Sequence, residues 1–212
     1  MKVGVVAVAV AVFGLGWGAG QVFSQDAGGE KKPEAEKPAE GGPSAEEMAA
    51  WVKYMTPGEP HKKMAALTGD WVSKGKFWMK PDAPPTESAG TSSFKMVYNG
   101  LYQVQEYKGA MMGMPFEGTG VMAFDNASKK YVGVWYDSMS TGLMYMEGSA
   151  DATGKVVTMS GQFADPMDGK PCALRMVTTD KDADTFLFEM YAKKASDPAE
   201  AKCMEMTYTR KK

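Results

Sequence analysis

Nineteen methionines, one histidine and two cysteines are the side chains through which this 212-residue chain could hold a soft metal or do redox chemistry. Met111, Met112 and Met114 crowd one connection around Gly113. Thioethers suit Cu(I), so three sulfurs converging there would make a copper site. The competing reading is packing, because methionine's unbranched, polarizable side chain fills irregular interiors and lines tolerant apolar pockets. Met122, Met144, Met146, Met190 and Met206 recur with strand period. That distribution favours a pocket over a metal, and neither a metal site nor a cofactor is expected.

Acid-base chemistry has one candidate. Asp137, two residues after Trp135, is the acid expected to face inward beside an aromatic, where burial would raise its pKa and suit it to general-base work. The plainer alternative is a carboxylate accepting backbone N–H groups at a strand end. A single His61 permits no Ser/His pair, and the sequence has no phosphate loop and no His-x-x-x-His or Cys-x-x-Cys spacing. No catalytic residue is assigned, and enzyme activity is disfavoured. His61 falls in a short helix ahead of the strands and reads as a solvated helix residue.

Cys172 and Cys203 fall on strands separated by a third, which puts their Cα atoms roughly 9–10 Å apart at ordinary strand spacing. A disulfide needs less than about 7 Å, and their parities point Cys172 inward and Cys203 outward. A bridge stays open as the alternative, since two cysteines in an oxidising compartment pair by default.

The elements that position these groups follow from period and punctuation. Lys2 followed by an uncharged run from Val3 to Ser24 reads as a secretory signal, with an uncleaved anchor as the alternative; either places the protein outside the cytoplasm, periplasmic or secreted. Residues 25–43 are Pro, Gly, Glu, Lys and Ala with no large apolar side chain, a flexible linker. A single domain then spans 44–212. Ser44-Ala45-Glu46-Glu47 forms a capping box opening a helix over 45–55 with Met48, Trp51, Val52 and Met55 on one side. A second short helix covers 59–67, and both are expected to brace one end of the fold. The net charge of −2, with no basic block, disfavours nucleic acid as a partner.

From Trp71 to Arg210 the chain alternates with period two between turn signals such as Asn99-Gly100. Ten strands are read near 69–79, 90–98, 101–108, 115–125, 130–138, 142–149, 155–163, 171–179, 184–192 and 202–210. Pairing Phe124 with Tyr131 across the 126–129 turn sets Met122 against Gly133, Gly120 against Trp135 and Gly118 against Asp137. Large residues thus oppose glycines, as a curved, crowded inner wall requires. Cys172, Leu174, Met176, Phe186, Phe188, Met190, Met204, Met206 and Tyr208 share inward parity, and Arg175, Glu189, Glu205 and Thr207 face solvent. Arg210 shares the inward parity, which is unusual for a charge.

Gly69-Asp70-Trp71 on the first strand with an inward Arg210 on the last resembles the Trp-and-Arg closure of calycin barrels, the group of lipocalins, fatty-acid-binding proteins and nitrobindins. The run Met111-Met112-Gly113-Met114-Pro115-Phe116-Glu117-Gly118, with Phe124-Asp125-Asn126, Lys130-Tyr131-Val132 and Trp135-Tyr136-Asp137-Ser138-Met139, resembles a secreted bacterial family of domains of unknown function, number 1579. The resemblance implies a barrel outside the cytoplasm and no established activity. Nitrobindins ligate haem through a wall histidine, and His61 lies off the barrel wall, so histidine-bound haem is disfavoured.

The reading is an all-β, ten-stranded antiparallel calycin-like barrel with short N-terminal helices, closed by Trp71 and Arg210. Its interior is expected to bind a small apolar or amphipathic molecule through Met96, Gln103, Gln105, Tyr107, Phe116, Met122, Trp135, Asp137, Met144, Met146, Phe188 and Met206. A structural or protein-interaction module with a filled core is the alternative. Interior volume separates the two, since a pocket reaches roughly 300–1,000 Å³ and a packed core leaves few voids larger than a water.

Overall fold

The computed structural model describes residues 42–212, so the signal and almost all of the linker lie outside the described residues. Two helices, α1 (Ala45–Met55) and α2 (Glu59–Ala66), precede ten strands: β1 (Gly69–Phe77), β2 (Thr86–Val97), β3 (Tyr102–Met111), β4 (Met114–Asp125), β5 (Lys130–Asp137), β6 (Met144–Ala150), β7 (Val156–Ala164), β8 (Pro171–Asp182), β9 (Thr185–Lys194) and β10 (Ala201–Arg210). Each strand pairs antiparallel with its sequence neighbour, and β1 pairs with β10 to close the barrel. Closure removes the sheet edges that would otherwise invite intermolecular pairing. None of the described helices is long and apolar enough to cross a membrane.

The registers follow the turns. Gly118 pairs with Asp137, Gly120 with Trp135, Met122 with Gly133 and Phe124 with Tyr131. Inward glycines continue around the barrel at Gly75, Gly90, Gly109, Gly148 and Gly161, and each is pressed by a neighbouring backbone or side chain so closely that a Cβ would clash. Two irregularities interrupt the ladders, between Lys202 and Met204 and between Asp180 and Asp182.

α2 seals one end. A helix this short leaves its last carbonyls without partners inside the helix, and the barrel supplies donors to them. Gln103 Nε2 donates to Met64 O at 2.5 Å, Trp71 Nε1 to Leu67 O at 2.8 Å, and Arg210 to Ala66 O at 2.7 Å and Thr68 O at 2.8 Å. The Arg210 guanidinium also lies 4.3 Å from the centroid of the Trp71 ring and pairs with Asp184 at 3.0 Å. Gly69, at φ +122°, turns the chain from α2 into β1 beneath it, and a Cβ there would sit 3.3 Å from Arg210 Nη1. Trp71 is 1% exposed at the centre of a cluster with Phe94, Tyr107, Phe116, Phe186, Met206 and Tyr208.

Two expectations about the helical end are corrected. α1 does not brace the barrel: it buries none of its residues, and Trp51 is 58% exposed. Asn126 Nδ2 tethers the chain at the end of α1 through Tyr54 O and Thr56 O, both at 2.9 Å, which fixes that end without covering its apolar side. His61 is not solvated. It is 2% exposed, its Nδ1 accepts the Gly58 N–H at 3.0 Å, and its ring meets Phe124 edge-on. Burial lowers its pKa.

Candidate functional site

The inward residues do not fill the barrel. They enclose a cavity of about 1210 Å³ that runs from α2 to the opposite end, where residues of the connections after β3, β5 and β7 join its lining and leave a mouth. A packed interior would leave no such void.

The wall varies around the barrel. On β6 to β9 it is mostly apolar, with Met144, Met146, Val157, Met159, Phe163, Met176, Phe186, Phe188 and Met190 beside Gln162, Thr178 and Asp180. On β3 to β5 it carries Gln103, Gln105, Tyr107, Phe116, Met122, Tyr131, Trp135 and Asp137, and β10 adds Met206 and Tyr208. Of the twelve residues read from the sequence as pocket candidates, Met96 lies off the wall, packed against the core cluster around Met64, Tyr131 and Met146. The strand parity that placed it is right, but Met96 sits near the end of β2, on the α2 side of the barrel. The wall residues absent from that reading, such as Met159, Thr178 and Tyr208, are inward by the same period and could have been drawn from it.

Asp137 stands at the mouth end of β5. Trp135 Nε1 donates to its Oδ2 and the Met139 N–H to its Oδ1, both at 2.9 Å. The carboxylate therefore fixes an indole and starts the turn into residues 138–143. Since Asp137 lies opposite Gly118, the bond draws the indole over that glycine, and the ring stacks on Phe116 at 6.5 Å. At the α2 end, Lys63 Nζ donates to Gly154 O at 2.9 Å and Asp180 lines the wall, its carboxyl pushed up by burial.

The two thiols form no disulfide, and most inward methionines gather in the core cluster around Met64, Met146, Met159 and Met176. Cys172 and Cys203 are free; Cys172 is buried, while Cys203 sits at the β10 irregularity, donates to Met190 O at 3.3 Å, and is pushed up to about 11 by burial. Met111 and Met114 pair across a two-residue turn in which Met112 and Gly113 both have positive φ (53° and 76°). Met112 and Met114 are about half exposed, and Met114 lies off the cavity wall. No group of His, Cys, Asp and Glu among the described residues could hold a metal.

The profile of DUF1579, a family of proteins of unknown function, matches residues 56–210, the second helix and the whole barrel. The chain belongs to that family. The crystal structure of Rv2717c from M. tuberculosis matches with a TM-score of 0.54 at 14% identity, covering 74% of this chain and 100% of that one. This likeness shows the barrel fold. A redesigned β-barrel (TM-score 0.39, 13% identity, 70% and 95% coverage) and EF1p2_mFAP2b bound to DFHBI (TM-score 0.41, 10% identity, 71% and 98% coverage) match more loosely. No curated protein matches the chain.

Proposed function

We propose that this DUF1579 barrel is an exported, calycin-like carrier that holds a small apolar or amphipathic molecule in its interior. The observation that supports this most is the cavity of about 1210 Å³, lined chiefly by methionine and aromatic side chains. Methionine suits such a wall because its side chain re-packs around ligands of different shape at small cost. An uncharged N-terminal run after Lys2 is the basis for proposing export. The inward acid at the mouth, Asp137, is engaged in holding Trp135 and the following turn, which favours binding over acid-base chemistry at that end.

Fluorescence titration with the neutral apolar dye N-phenyl-1-naphthylamine tests the reading. Saturable binding near one dye per chain, displaced by lipid extract of the source cells, is the expected result. A barrel that leaves the dye's emission unchanged at micromolar protein would refute it.

A further inference from the structure

Inward strand positions between the two rims carry no charge. The charged residues of that parity, Asp137, Asp180, Lys194 and Arg210, stand at or next to strand ends, and three are engaged: Lys194 with Asp165, Arg210 with Asp184 and Asp137 with Trp135. The polar groups that remain in mid-barrel are neutral; apart from Tyr131 on β5 and Thr178 on β8, they are gathered on β1, β2, β3 and β10.

Their arrangement leaves hydrogen-bonding capacity unused. Ser73 Oγ is buried without any partner among the described residues, in a side chain 1% exposed, and Ser73 pairs across the sheets with Tyr208 on β10 and Gly90 on β2. Tyr208, buried in the core, has its hydroxyl 3.8 Å from the Met206 sulfur and beside the Gln105 and Ser92 side chains. Thioether sulfur is a weak acceptor, so this contact is one the phenol can exchange for a stronger acceptor. Its ring is held by stacking on Phe186 at 4.4 Å, which fixes where the hydroxyl points. Gln105 spends one amide hydrogen on Ser92 Oγ at 2.9 Å, which leaves amide capacity to share between the Tyr208 hydroxyl and a ligand. The Tyr107 phenol lies over the paired glycines Gly90 and Gly109, in space that a Cβ at either would occupy. Gln105, Tyr107 and Tyr208 all reach the cavity wall. An isolated buried polar group without a partner costs about 1–3 kcal/mol, so a cluster of under-used donors facing an otherwise apolar void is matched by an acceptor that enters it.

Resting on the carrier reading above, we propose that Gln105, Tyr107 and Tyr208 form the subsite for the polar end of the ligand, and that this subsite selects a neutral acceptor, a ketone, ester or alcohol, over a carboxylate or an ammonium. The hydrocarbon part then lies against the methionine and phenylalanine wall of β6 to β9. Charge selection follows from desolvation: an ion moved into this wall loses its water and meets no counter-ion, a penalty of several kcal/mol, whereas a carbonyl loses little and gains the waiting donors. Burial raises the Tyr208 phenol, which keeps it a donor at neutral pH.

The test uses the full chain and displacement of N-phenyl-1-naphthylamine by five twelve-carbon compounds at pH 8: dodecane, 2-dodecanone, 1-dodecanol, dodecanoate and dodecylammonium. The ketone and alcohol are expected to displace dye at concentrations at least tenfold below the two ions. Tyr208→Phe and Gln105→Leu are each expected to reduce the preference for ketone over dodecane about fivefold; the wild-type series decides the charge question even where a variant fails to fold. Dodecanoate displacing as well as the ketone, with that affinity lost in Lys63→Met, would move the polar end to the α2 side and overturn the inference while leaving the carrier reading intact. Failure of the dye itself to bind would remove the carrier reading and this inference with it.

Discussion

At the scale of single residues, His61 links burial to pH. Its imidazole accepts the Gly58 N–H and its pKa lies below the ordinary value of 6.5 because it is buried. As pH falls through 6.5 the unfolded chain takes up a proton that the native state refuses, so native stability declines from there down towards the lowered value. The chain has no other histidine, and unfolded carboxylates titrate near pH 4; the native Asp180 carboxyl, pushed up by burial, gains stability as pH falls and so acts against this decline rather than causing it. Urea unfolding between pH 7 and pH 5 is therefore expected to show a decline in stability that His61→Asn largely removes; an unchanged slope in the variant would separate the decline from His61. A second residue-scale prediction concerns Trp135. Its indole crowds Gly118 more closely than Gly120, whose nearest indole atom would be 3.2 Å from a Cβ. Gly118→Ala is expected to cost about 1–3 kcal/mol by overpacking, Gly120→Ala less, and Trp135→Leu should recover part of the Gly118→Ala loss in a double-mutant cycle.

At the scale of elements, α1 and α2 make opposite predictions. α2 is held by donors from β1, β3 and β10 on its terminal carbonyls, with Trp71 at the centre. Trp71→Ala is expected to cost about 3–5 kcal/mol, read as a fall in the urea midpoint. Trp51→Ser on α1 is expected to change stability by less than about 0.5 kcal/mol, as exposed substitutions do. Element placement was largely legible in the sequence. Hairpin turns such as Asn99-Gly100 and 126–129 fixed the registers, so one pairing, Phe124 with Tyr131, gave the rest of the β4–β5 ladder. The irregularity at Cys203 was not legible, because a bulge adds one residue without changing the hydrophobic period around it. The fate of the helices was not legible either. An apolar stripe such as Met48, Trp51, Val52 and Met55 says which side of α1 is available for packing, while burial depends on whether the chain after Thr56 brings that side to the barrel, and here it does not.

For the whole molecule, the period-two pattern dictates which residues face inward but not whether they meet. That depends on barrel radius, set by strand number and stagger together, and on glycines that withdraw side chains from the interior. Ten strands with inward glycines at Gly75, Gly90, Gly109, Gly118, Gly120, Gly133, Gly148 and Gly161 leave the centre of the barrel empty. A filled core and a hollow one respond in opposite directions to added volume. Thr178 faces the cavity from β8, across from Phe188 on β9. In a packed interior Thr178→Phe would cost about 1–3 kcal/mol through overpacking. In this barrel the new ring has room, so thermal stability is expected to hold or to rise by about 0.5–2 kcal/mol, the usual range for filling a cavity. The same ring takes space from a ligand, so affinity for N-phenyl-1-naphthylamine is expected to fall about tenfold, equivalent to about 1.4 kcal/mol. Stability and binding thus move apart in one variant. A destabilised Thr178→Phe protein with unaltered dye affinity would show that the dye binds elsewhere and that the barrel is closed to it.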